Sequence, residues 1–375
     1  MRVSLVVPDT LPSSGGLARN VPRLAGALRN HGVSVELCSV GDGSAVTPQM
    51  TVPAFHGRPA WPSTLGRSPE LKRHLRDTPT DLIHANGLWM APLGYAATAA
   101  ARRQIPLVIS PRGMLSPWAL RRSRWKKLLA RWLVHRGAFR RAAGWHVTSV
   151  AEESDIRRLG FSQPICMAPN GVDPPREAPG DVRAFYEAVA PAIVGCRVVL
   201  FYSRFHSKKR VCELIQEFAT LPTSDWHLLV VGVPEEYSVQ DLRGQVASLA
   251  ASPRVTVLDG QDLPKPNAVA DFRALPTHEE NFGQVIAEAL AAGVPVLTTT
   301  NAPWEGLQAA GAGRWVPFEQ FGATLREMMT LPTEALQAAG NRGRDWVLAT
   351  FSWDGSAAVL KRFYEQVLVS TARLA

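Results

Sequence analysis

Residues 197–221 read RVVLFYSRFHSKKRVCELIQEFATL, and this stretch decides the fold class. It opens with RVVLFYSR (197–204), an apolar run of strand length. A basic loop then leads into VCELIQEFATL (211–221), in which apolar residues recur at helical spacing. Parallel strands need a crossover connection between them, and that connection is usually a helix. The order strand, loop, helix therefore predicts a βαβ unit and a parallel sheet.

The same alternation continues as far as residue 299 and is preceded by a similar series. The later segments are strand WHLLVVG (226–232), helix QDLRGQVASLAA (240–251), strand RVTVLDG (254–260), the stretch ADFRALP (270–276), helix FGQVIAEALAAG (282–293) and strand VPVLTT (294–299). The earlier segments are strands at 2–8, 33–40, 81–87, 106–110 and 144–149, with helices at 17–30 and 91–104. The pattern predicts an α/β protein with two parallel-sheet domains.

The boundary between the two series is marked by PNGVDPPREAPGD (169–181), whose Pro, Gly and Asp content is typical of a linker. We therefore expect an N-terminal domain at 1–172 and a C-terminal domain at 173–350. A helical pattern with Trp and Phe residues follows at 351–375.

The composition indicates a soluble globular protein. The chain has 375 residues, 46% of them hydrophobic, and its apolar runs are far shorter than the roughly 20 residues of a membrane-spanning helix. The opening MRVSLVVPDT lacks the apolar stretch of a secretory signal, so we expect a cytoplasmic location. The four cysteines are widely spaced without a CxxC motif, which favours a reducing compartment and predicts neither a disulfide framework nor a zinc site.

The positive charge is concentrated in one segment. The formal net charge is +9, and the nine Lys and Arg residues between Ala119 and Trp145, with no acid among them, account for all of it. The segment 118–141 predicts a basic amphipathic helix with a Trp-rich face. Such a helix either packs on the sheet with its cations solvated or lies on an anionic membrane surface. Nucleic acid is disfavoured because no recognition module is present.

Three loops after predicted strands carry candidate ligand-binding residues, because ligands of parallel α/β sheets bind at the carboxyl ends of the strands. Gly15 and Gly16 precede a helix, where free backbone N–H groups attract phosphate; an ordinary turn is the alternative. Arg204 and Lys209 suit a diphosphate, unless their loop is simply a solvated basic one.

The third loop, before the helix at 283–292, contains two acids. Glu280 and Glu288 flank Asn281, Phe282 and Gly283. Carboxylates accept hydrogen bonds from neighbouring hydroxyl groups, so both acids suit a sugar or a ribose. The alternative is a capping acid followed by a surface glutamate.

The segment HEENFGQVIAEALAAGVPVLTT resembles the E-x7-E signature of the retaining glycosyltransferases of family 4, which have the GT-B fold, and YSRFHSKK resembles their diphosphate clamp. Four further segments, HANGLW, ISPRGMLSPWAL, APNGVD and APW, resemble those of the subgroup that builds bacterial lipopolysaccharide O-antigens and exopolysaccharides. The resemblance implies two Rossmann-like parallel-sheet domains that face each other across a cleft. It also implies that the helix at 351–375 crosses back to the N-terminal domain.

The resemblance also implies roles for single residues. Arg204 and Lys209 would hold the donor diphosphate, Glu280 the sugar hydroxyls and Glu288 the ribose, while His84 would face the donor sugar. The other donor-binding candidates are Gly15, Gly16, Gly232, Asn281, Phe282 and Gly283. The candidates on the acceptor side are Asn86, Arg112 and Gly113.

The implied reaction moves a sugar from a GDP- or UDP-sugar to a growing glycan or lipid-linked acceptor, with retention of configuration. The family lacks the Asp-x-Asp metal motif, and so does this sequence, so neither metal nor cofactor is expected. A nucleotide-sugar epimerase or phosphorylase and a non-catalytic scaffold remain alternatives. A dinucleotide oxidoreductase is disfavoured, since no GxGxxG follows the first strand.

The sequence departs from the family pattern at three places. Asn86 stands where many relatives have a second histidine. The segment 260–271 is about one helical turn shorter than the corresponding segment of the relatives. Arg273 occupies a position where a buried apolar strand residue is expected.

Overall fold

A computed structural model describes residues 1–11, 15–41, 52–121, 136–175, 181–222, 225–249 and 252–373. The chain divides into two compact units: unit 1 comprises Met1–Gly171 and Phe351–Ala375, and unit 2 comprises Val172–Thr350. Each unit contains one sheet in which every paired strand is parallel. The predicted α/β fold class is confirmed.

The described part of residues 1–171 contains seven strands and six α-helices. The strands are β1 (Arg2–Asp9), β2 (Ser34–Val40), β3 (Ala54–Gly57), β4 (Leu82–Asn86), β5 (Leu107–Ser110), β6 (Gly144–Val147) and β7 (Ile165–Met167). The helices are α1 (Gly16–Asn30), α2 (Pro69–Asp77), α3 (Ala91–Arg103), α4 (Pro117–Arg121), α5 (Arg136–Arg141) and α6 (Val150–Arg158). The strand order in the sheet is β3-β2-β1-β4-β5-β6-β7.

The described part of unit 2 contains six strands and seven α-helices. The strands are β8 (Arg197–Tyr202), β9 (Trp226–Gly232), β10 (Val255–Asp259), β11 (Phe272–Leu275), β12 (Val296–Thr299) and β13 (Gly313–Val316). The helices are α7 (Val182–Val189), α8 (Val211–Ala219), α9 (Val239–Ala247), α10 (Gln284–Ala291), α11 (Gly306–Ala309), α12 (Phe318–Thr330) and α13 (Thr333–Thr350). The strand order is β10-β9-β8-β11-β12-β13.

A final helix, α14 (Trp353–Ala372), belongs to unit 1 and packs against α1. Its buried residues Leu360, Phe363 and Tyr364 share a hydrophobic cluster with Leu5 of β1 and Val21 of α1. A second cluster, on the other face of the same sheet, lies under α2 and α3. Unit 1 is therefore a sheet covered on both faces, as parallel sheets require.

Local sequence explains where several helices begin. The Ser68 hydroxyl accepts a hydrogen bond from Leu71 N at the start of α2, and Pro69 fills the first helical position. Ser238 and Asp241 form a capping box at the start of α9. Gly283 precedes α10 with φ of 79°, a left-handed conformation that glycine adopts without strain.

The predicted basic amphipathic helix over 118–141 falls mostly outside the described residues. The structure gives α4 and α5 at its two ends, and residues 122–135 between them are not described. In the described part of the chain, no helix combines the length and the apolar character needed to cross a bilayer.

Candidate functional site

A buried ion pair links the loop after β8 to the loop before α10. Lys209 ends a short 3-10 turn, Ser207–Lys209, and its Nζ contacts Glu280 Oε1. The two side chains are only 8% and 9% exposed. Burial acts to raise the pKa of Glu280, but the Lys209 ammonium outweighs it, so the pKa of this carboxyl lies below its ordinary value. The two predicted residues therefore form one buried ion pair inside unit 2.

Additional contacts hold the same two loops together. Lys208 Nζ lies 3.1 Å from Glu279 Oε2, and the Lys208 carbonyl accepts hydrogen bonds from His278 N at 2.7 Å and Thr277 Oγ1 at 3.2 Å. Glu280 N donates to the Asn301 carbonyl at 3.1 Å. The position of Glu280 is thus fixed through both its backbone and its side chain.

The start of α10 is shaped by Phe282, Gly283 and Trp304. Trp304 Nε1 donates a hydrogen bond of 2.6 Å to the Phe282 carbonyl, and both rings are buried. A Cβ atom on Gly283 would lie 3.1 Å from Trp304 Nε1 and 3.1 Å from Ile286 Cδ1. The left-handed conformation favours glycine here, and a larger residue would also be tightly packed against Trp304 and Ile286. The helix N-terminus beside Glu280 carries a partial positive charge of about half an elementary unit.

Glu288 lies on α10 and forms an ion pair with Lys265, which the sequence analysis did not identify as a site residue. Lys265 Nζ lies 3.0 Å from Glu288 Oε1, and the Glu288 side chain is 14% exposed. Asn267 Nδ2 donates to the Glu288 carbonyl at 3.4 Å. Lys265 and Asn267 belong to the short segment 260–271, which therefore contacts the predicted ribose-binding acid.

Arg204 differs from Lys209 in its environment, although both lie in the loop after β8. Its side chain is 51% exposed, and its Nη1 lies 2.9 Å from Glu235 Oε2 in the loop after β9. A Cβ atom on Gly232 would lie 2.0 Å from the Ser203 carbonyl. Gly232 thus allows the loops after β8 and β9 to pack closely beside Arg204.

Arg273 occupies the buried strand position that the sequence indicated. It lies on β11, a central strand, and is 0% exposed. Its guanidinium donates hydrogen bonds to the carbonyls of Tyr202, at the end of β8, and Val285, in the first turn of α10. Its Nε finds no partner among the described residues.

The buried charge of Arg273 is retained despite its surroundings. Burial lowers the pKa of Arg273 to about 10, and the Glu288 carboxylate acts in the opposite direction. The group therefore carries a positive charge at neutral pH. It ties the strand that leads to Lys209 to the helix that carries Glu288.

In unit 1, three acceptor-side candidates converge at the carboxyl ends of β4 and β5. Arg112 Nη2 donates to Asn86 Oδ1 at 2.8 Å, and its Nη1 donates to Asn170 Oδ1 at 2.9 Å. Gly113 N donates to Glu152 Oε1 at 2.7 Å. Burial raises the pKa of Glu152, although hydrogen bonds from backbone N–H groups oppose the rise. Asn170 and Glu152 complete the cluster and were not predicted.

Gly15 and Gly16 lie where the sequence places them, at the start of α1. Gly15 has φ of 67° and precedes the helix, and Gly16 is its first residue and is exposed. The first turn contains no acidic residue. This helix start therefore has no nearby carboxylate in its first turn to repel an anion.

His84 needs a correction, because the structure places it inside the sheet of unit 1. It is 0% exposed, and its Nδ1 and Nε2 contact Tyr364 Oη at 2.6 Å and Ser110 Oγ at 2.8 Å. Both ring nitrogens are occupied and the side chain has no exposed surface. The expectation that His84 faces the donor sugar is therefore not supported by its position.

Instead, His84 is part of a buried chain of hydrogen bonds. Ser110 Oγ also contacts His146 Nδ1 at 2.8 Å, and His146 Nε2 contacts the Ala168 carbonyl at 2.9 Å. The chain runs from Tyr364 on α14 across β4, β5 and β6. Burial lowers the pKa of His146 to about 3 and that of His84 well below its ordinary value, so both rings are neutral at pH 7.

Two family models match the chain, one in each unit. Residues 15–171 match the Glycosyl transferase 4-like domain, and residues 196–330 match Glycosyl transferases group 1.

Among relatives in sequence, the D-inositol 3-phosphate glycosyltransferase of Mycolicibacterium gilvum is 30% identical over 210 residues, covering 53% of this chain and 46% of that protein. The 2-deoxystreptamine glucosyltransferase of Streptomyces kanamyceticus is 26% identical over 254 residues and covers 63% of each. The chain spans about half the length of the first of these relatives.

Solved structures match over nearly the whole chain. Anabaena HepE in complex with UDP and glucose has a TM-score of 0.78 at 21% identity and covers 98% of this chain and 100% of that one. WaaG, a glycosyltransferase involved in lipopolysaccharide biosynthesis, has a TM-score of 0.70 at 20% identity, with 95% and 99% covered. With two parallel-sheet units that match GT-B structures and a family model matched in each, the chain belongs to the group 1 glycosyltransferases of the GT-B fold.

Proposed function

We propose that this chain is a retaining hexosyltransferase that moves a sugar from a GDP- or UDP-sugar to a glycan or lipid-linked acceptor of a bacterial surface polysaccharide. The observation that carries the proposal is the buried Lys209–Glu280 pair, next to the N-terminus of α10. A cation and a helix N-terminus attract phosphate, while a fixed carboxylate beside them accepts hydrogen bonds from sugar hydroxyls.

Each residue then has a defined task in unit 2. Lys209 has three donors, so its ammonium can hold Glu280 and a phosphate oxygen together, and Arg204 contacts the diphosphate from the solvent side. Glu280 orients the sugar hydroxyls, and Glu288, held by Lys265, accepts the ribose hydroxyls. The backbone at Gly283 turns the chain into α10.

The proposed reaction is a front-face displacement. The bond between the anomeric carbon and the diphosphate oxygen breaks, and a bond to the acceptor oxygen forms on the same face. The acceptor proton passes to a phosphate oxygen, so no protein nucleophile is needed. Lys209, Arg204 and the N-terminus of α10 stabilise the negative charge that grows on the leaving diphosphate, and such donors are typically worth ~3 to 4 kcal/mol each.

The relatives favour two classes of acceptor. WaaG acts in lipopolysaccharide biosynthesis, which supports a glycan or lipid-linked acceptor. D-inositol 3-phosphate and 2-deoxystreptamine, which appear in the names of two sequence relatives, are both cyclitols. Transfer to a cyclitol is therefore the second candidate function.

Donor binding is tested by thermal denaturation with GDP-, UDP-, dTDP- and ADP-sugars. A ligand that binds only the native state raises the melting temperature, and we expect one nucleotide to do so. UDP is the first to try, because Anabaena HepE was solved with UDP and with UDP-glucose. Glu288→Gln should weaken the effect, and Glu279→Gln, outside the proposed ribose contact, is the matched control. If none of the four donors shifts the transition, the proposal is wrong.

The same donor then separates transfer from its alternatives. A transferase releases nucleoside diphosphate in proportion to added acceptor, and proton NMR of the product shows the anomeric configuration of the donor. Product formed without any acceptor would identify an epimerase instead. A donor that binds without turnover under any acceptor would indicate a binding scaffold.

A lipid-linked acceptor would also place the protein at a membrane surface. We propose residues 118–141 as the contact, because Lys and Arg near an anionic surface contribute about 1 kcal/mol each and Trp favours the interface. Co-sedimentation with anionic vesicles should weaken as salt rises. Equal binding to neutral vesicles would contradict this contact.

A further inference from the structure

Three side chains in unit 1 that have no role in the proposed transfer form a cluster of potential metal ligands. Glu36 and Cys38 lie on β2, and His74 lies on α2. One ligand atom from each is within 4.8 Å of the other two, and within the described ranges no other group of three or more His, Cys, Asp or Glu is arranged in this way.

The fold brings these residues together for simple reasons. Alternate residues of a strand share a face, so Glu36 and Cys38 both point towards α2. Cys38 is 0% exposed and pairs in register with Phe55 of β3, whereas the Glu36 and His74 side chains are 29% and 18% exposed. The cluster therefore has a buried thiol at its base and an opening to solvent between the other two groups.

The distances fit a small tetrahedral ion. Cys38 Sγ lies 3.6 Å from Glu36 Oε2, and His74 Nε2 lies 2.9 Å from the same oxygen. Zinc bonds of about 2.0 to 2.3 Å in a tetrahedron put sulfur and oxygen about 3.5 Å apart and nitrogen and oxygen about 3.3 Å apart. Of these two distances, the one between His74 and Glu36 has to open, by less than about half an ångström, and the third pair, Cys38 and His74, lies within 4.8 Å.

The His74 ring is held in the orientation that a ligand needs. Phe55 stacks on it with ring centroids 3.8 Å apart and planes 6° apart, and Thr78 Oγ1 lies 3.1 Å from Nδ1. In the structure, Nε2 donates to Glu36 Oε2. When an ion takes the place of that hydrogen bond, a ring whose Nδ1 proton is donated to the Thr78 hydroxyl presents its Nε2 lone pair to the ion. Metal-binding histidines are commonly oriented by such a bond from their second nitrogen.

We propose that Glu36, Cys38 and His74 bind a zinc-class divalent ion that joins β2 to α2, with water in the fourth position. A thiolate and a carboxylate carry two negative charges, which match the charge of the ion, and the imidazole is neutral. Sulfur and nitrogen ligands favour Zn²⁺ over Mg²⁺ or Ca²⁺, which prefer oxygen. The Cys38 thiol proton, which now points to Glu36, passes to solvent when the ion binds.

Cobalt provides a direct test, because Co²⁺ replaces Zn²⁺ and thiolate ligation gives intense near-ultraviolet absorption. We expect tag-free, chelator-treated protein to show this absorption, to saturate at about one ion per chain and to lose it when Zn²⁺ is added. Zn²⁺ binding should also release about one proton, measured by calorimetry in buffers of different ionisation enthalpy.

Variants separate this site from adventitious binding. Cys38→Ser and His74→Gln should each weaken binding by at least about 100-fold, and Thr78→Val by about 10- to 100-fold, since it only orients a ligand. Cys166→Ser, at another buried cysteine of unit 1, should bind as the parent does. If the absorption is absent, survives in Cys38→Ser and His74→Gln, or disappears in Cys166→Ser, the site is not the one proposed.

Discussion

Lys209→Met is expected to lower the rate of sugar transfer by at least about 100-fold, because it removes a cation placed to stabilise the leaving diphosphate. It should also lower the free energy of unfolding by about 3 to 5 kcal/mol, since Glu280 is left buried without its partner. The ratio kcat/KM and urea denaturation measure the two effects separately.

The double variant Lys209→Met/Glu280→Gln distinguishes the catalytic loss from the structural one. It carries no unpaired buried charge, so most of the stability should return while the rate stays low. Lys208→Met is the matched control, because Lys208 pairs with Glu279 in a more exposed position. Arg204→Ala should lose transfer with little change in stability, since Arg204 is half exposed. A near-normal rate in Lys209→Met would remove Lys209 from the mechanism.

Unit 1 is expected to lose stability as the pH falls below about 6.5. His146 and His84 are neutral when buried, and burial depresses both pKa values below the 6.5 that applies in the unfolded chain. The unfolded state therefore binds more protons in this range, so folding stability is fully present above pH 6.5 and declines below it. For His146, whose pKa is about 3, two pH units below 6.5 cost about 2.7 kcal/mol, and His84 adds to this.

Hydrogen exchange of the amides in β4, β5 and β6 between pH 8 and pH 4.5 measures this loss within unit 1. His146→Gln removes one titrating group and should make the decline shallower. Burial raises the pKa of Glu152, so protonation of this carboxyl stabilises the folded state as the pH falls. It is a single group, whereas two histidines act in the destabilising direction. Protection that stays constant down to pH 5 would show that the folded and unfolded states bind equal numbers of protons, which contradicts depressed pKa values for the two histidines.

Strands and helices could be predicted where their apolar pattern is strong. RVVLFY and WHLLVVG are continuous apolar runs because a central parallel strand is buried on both faces, and both are strands in the structure. The sequence did not reveal β3 or β7, which have four and three residues at the sheet edges, where the apolar pattern is short. It also missed α2, whose buried residues are only Leu71 and Leu75.

The candidate site was predictable in its residue types but not in its pairings. Motif order located Lys209, Glu280 and Glu288, yet the contact between Lys265 and Glu288 spans 23 positions of the chain and leaves no periodic signal. His84 shows the same limit, because the hydroxyl groups that occupy its ring belong to residues 26 and 280 positions away.

The division of unit 1 has a consequence for biosynthesis. Leu360, Phe363 and Tyr364 of α14 fill the same cluster as Leu5 and Val21, so this apolar surface stays uncovered until the ribosome has made the whole of residues 172–350. At ordinary elongation rates that interval is on the order of ten seconds or more. Unit 2 can therefore complete its own core first. The apolar surface of unit 1 stays accessible to chaperones until α14 has been synthesised and packs on it.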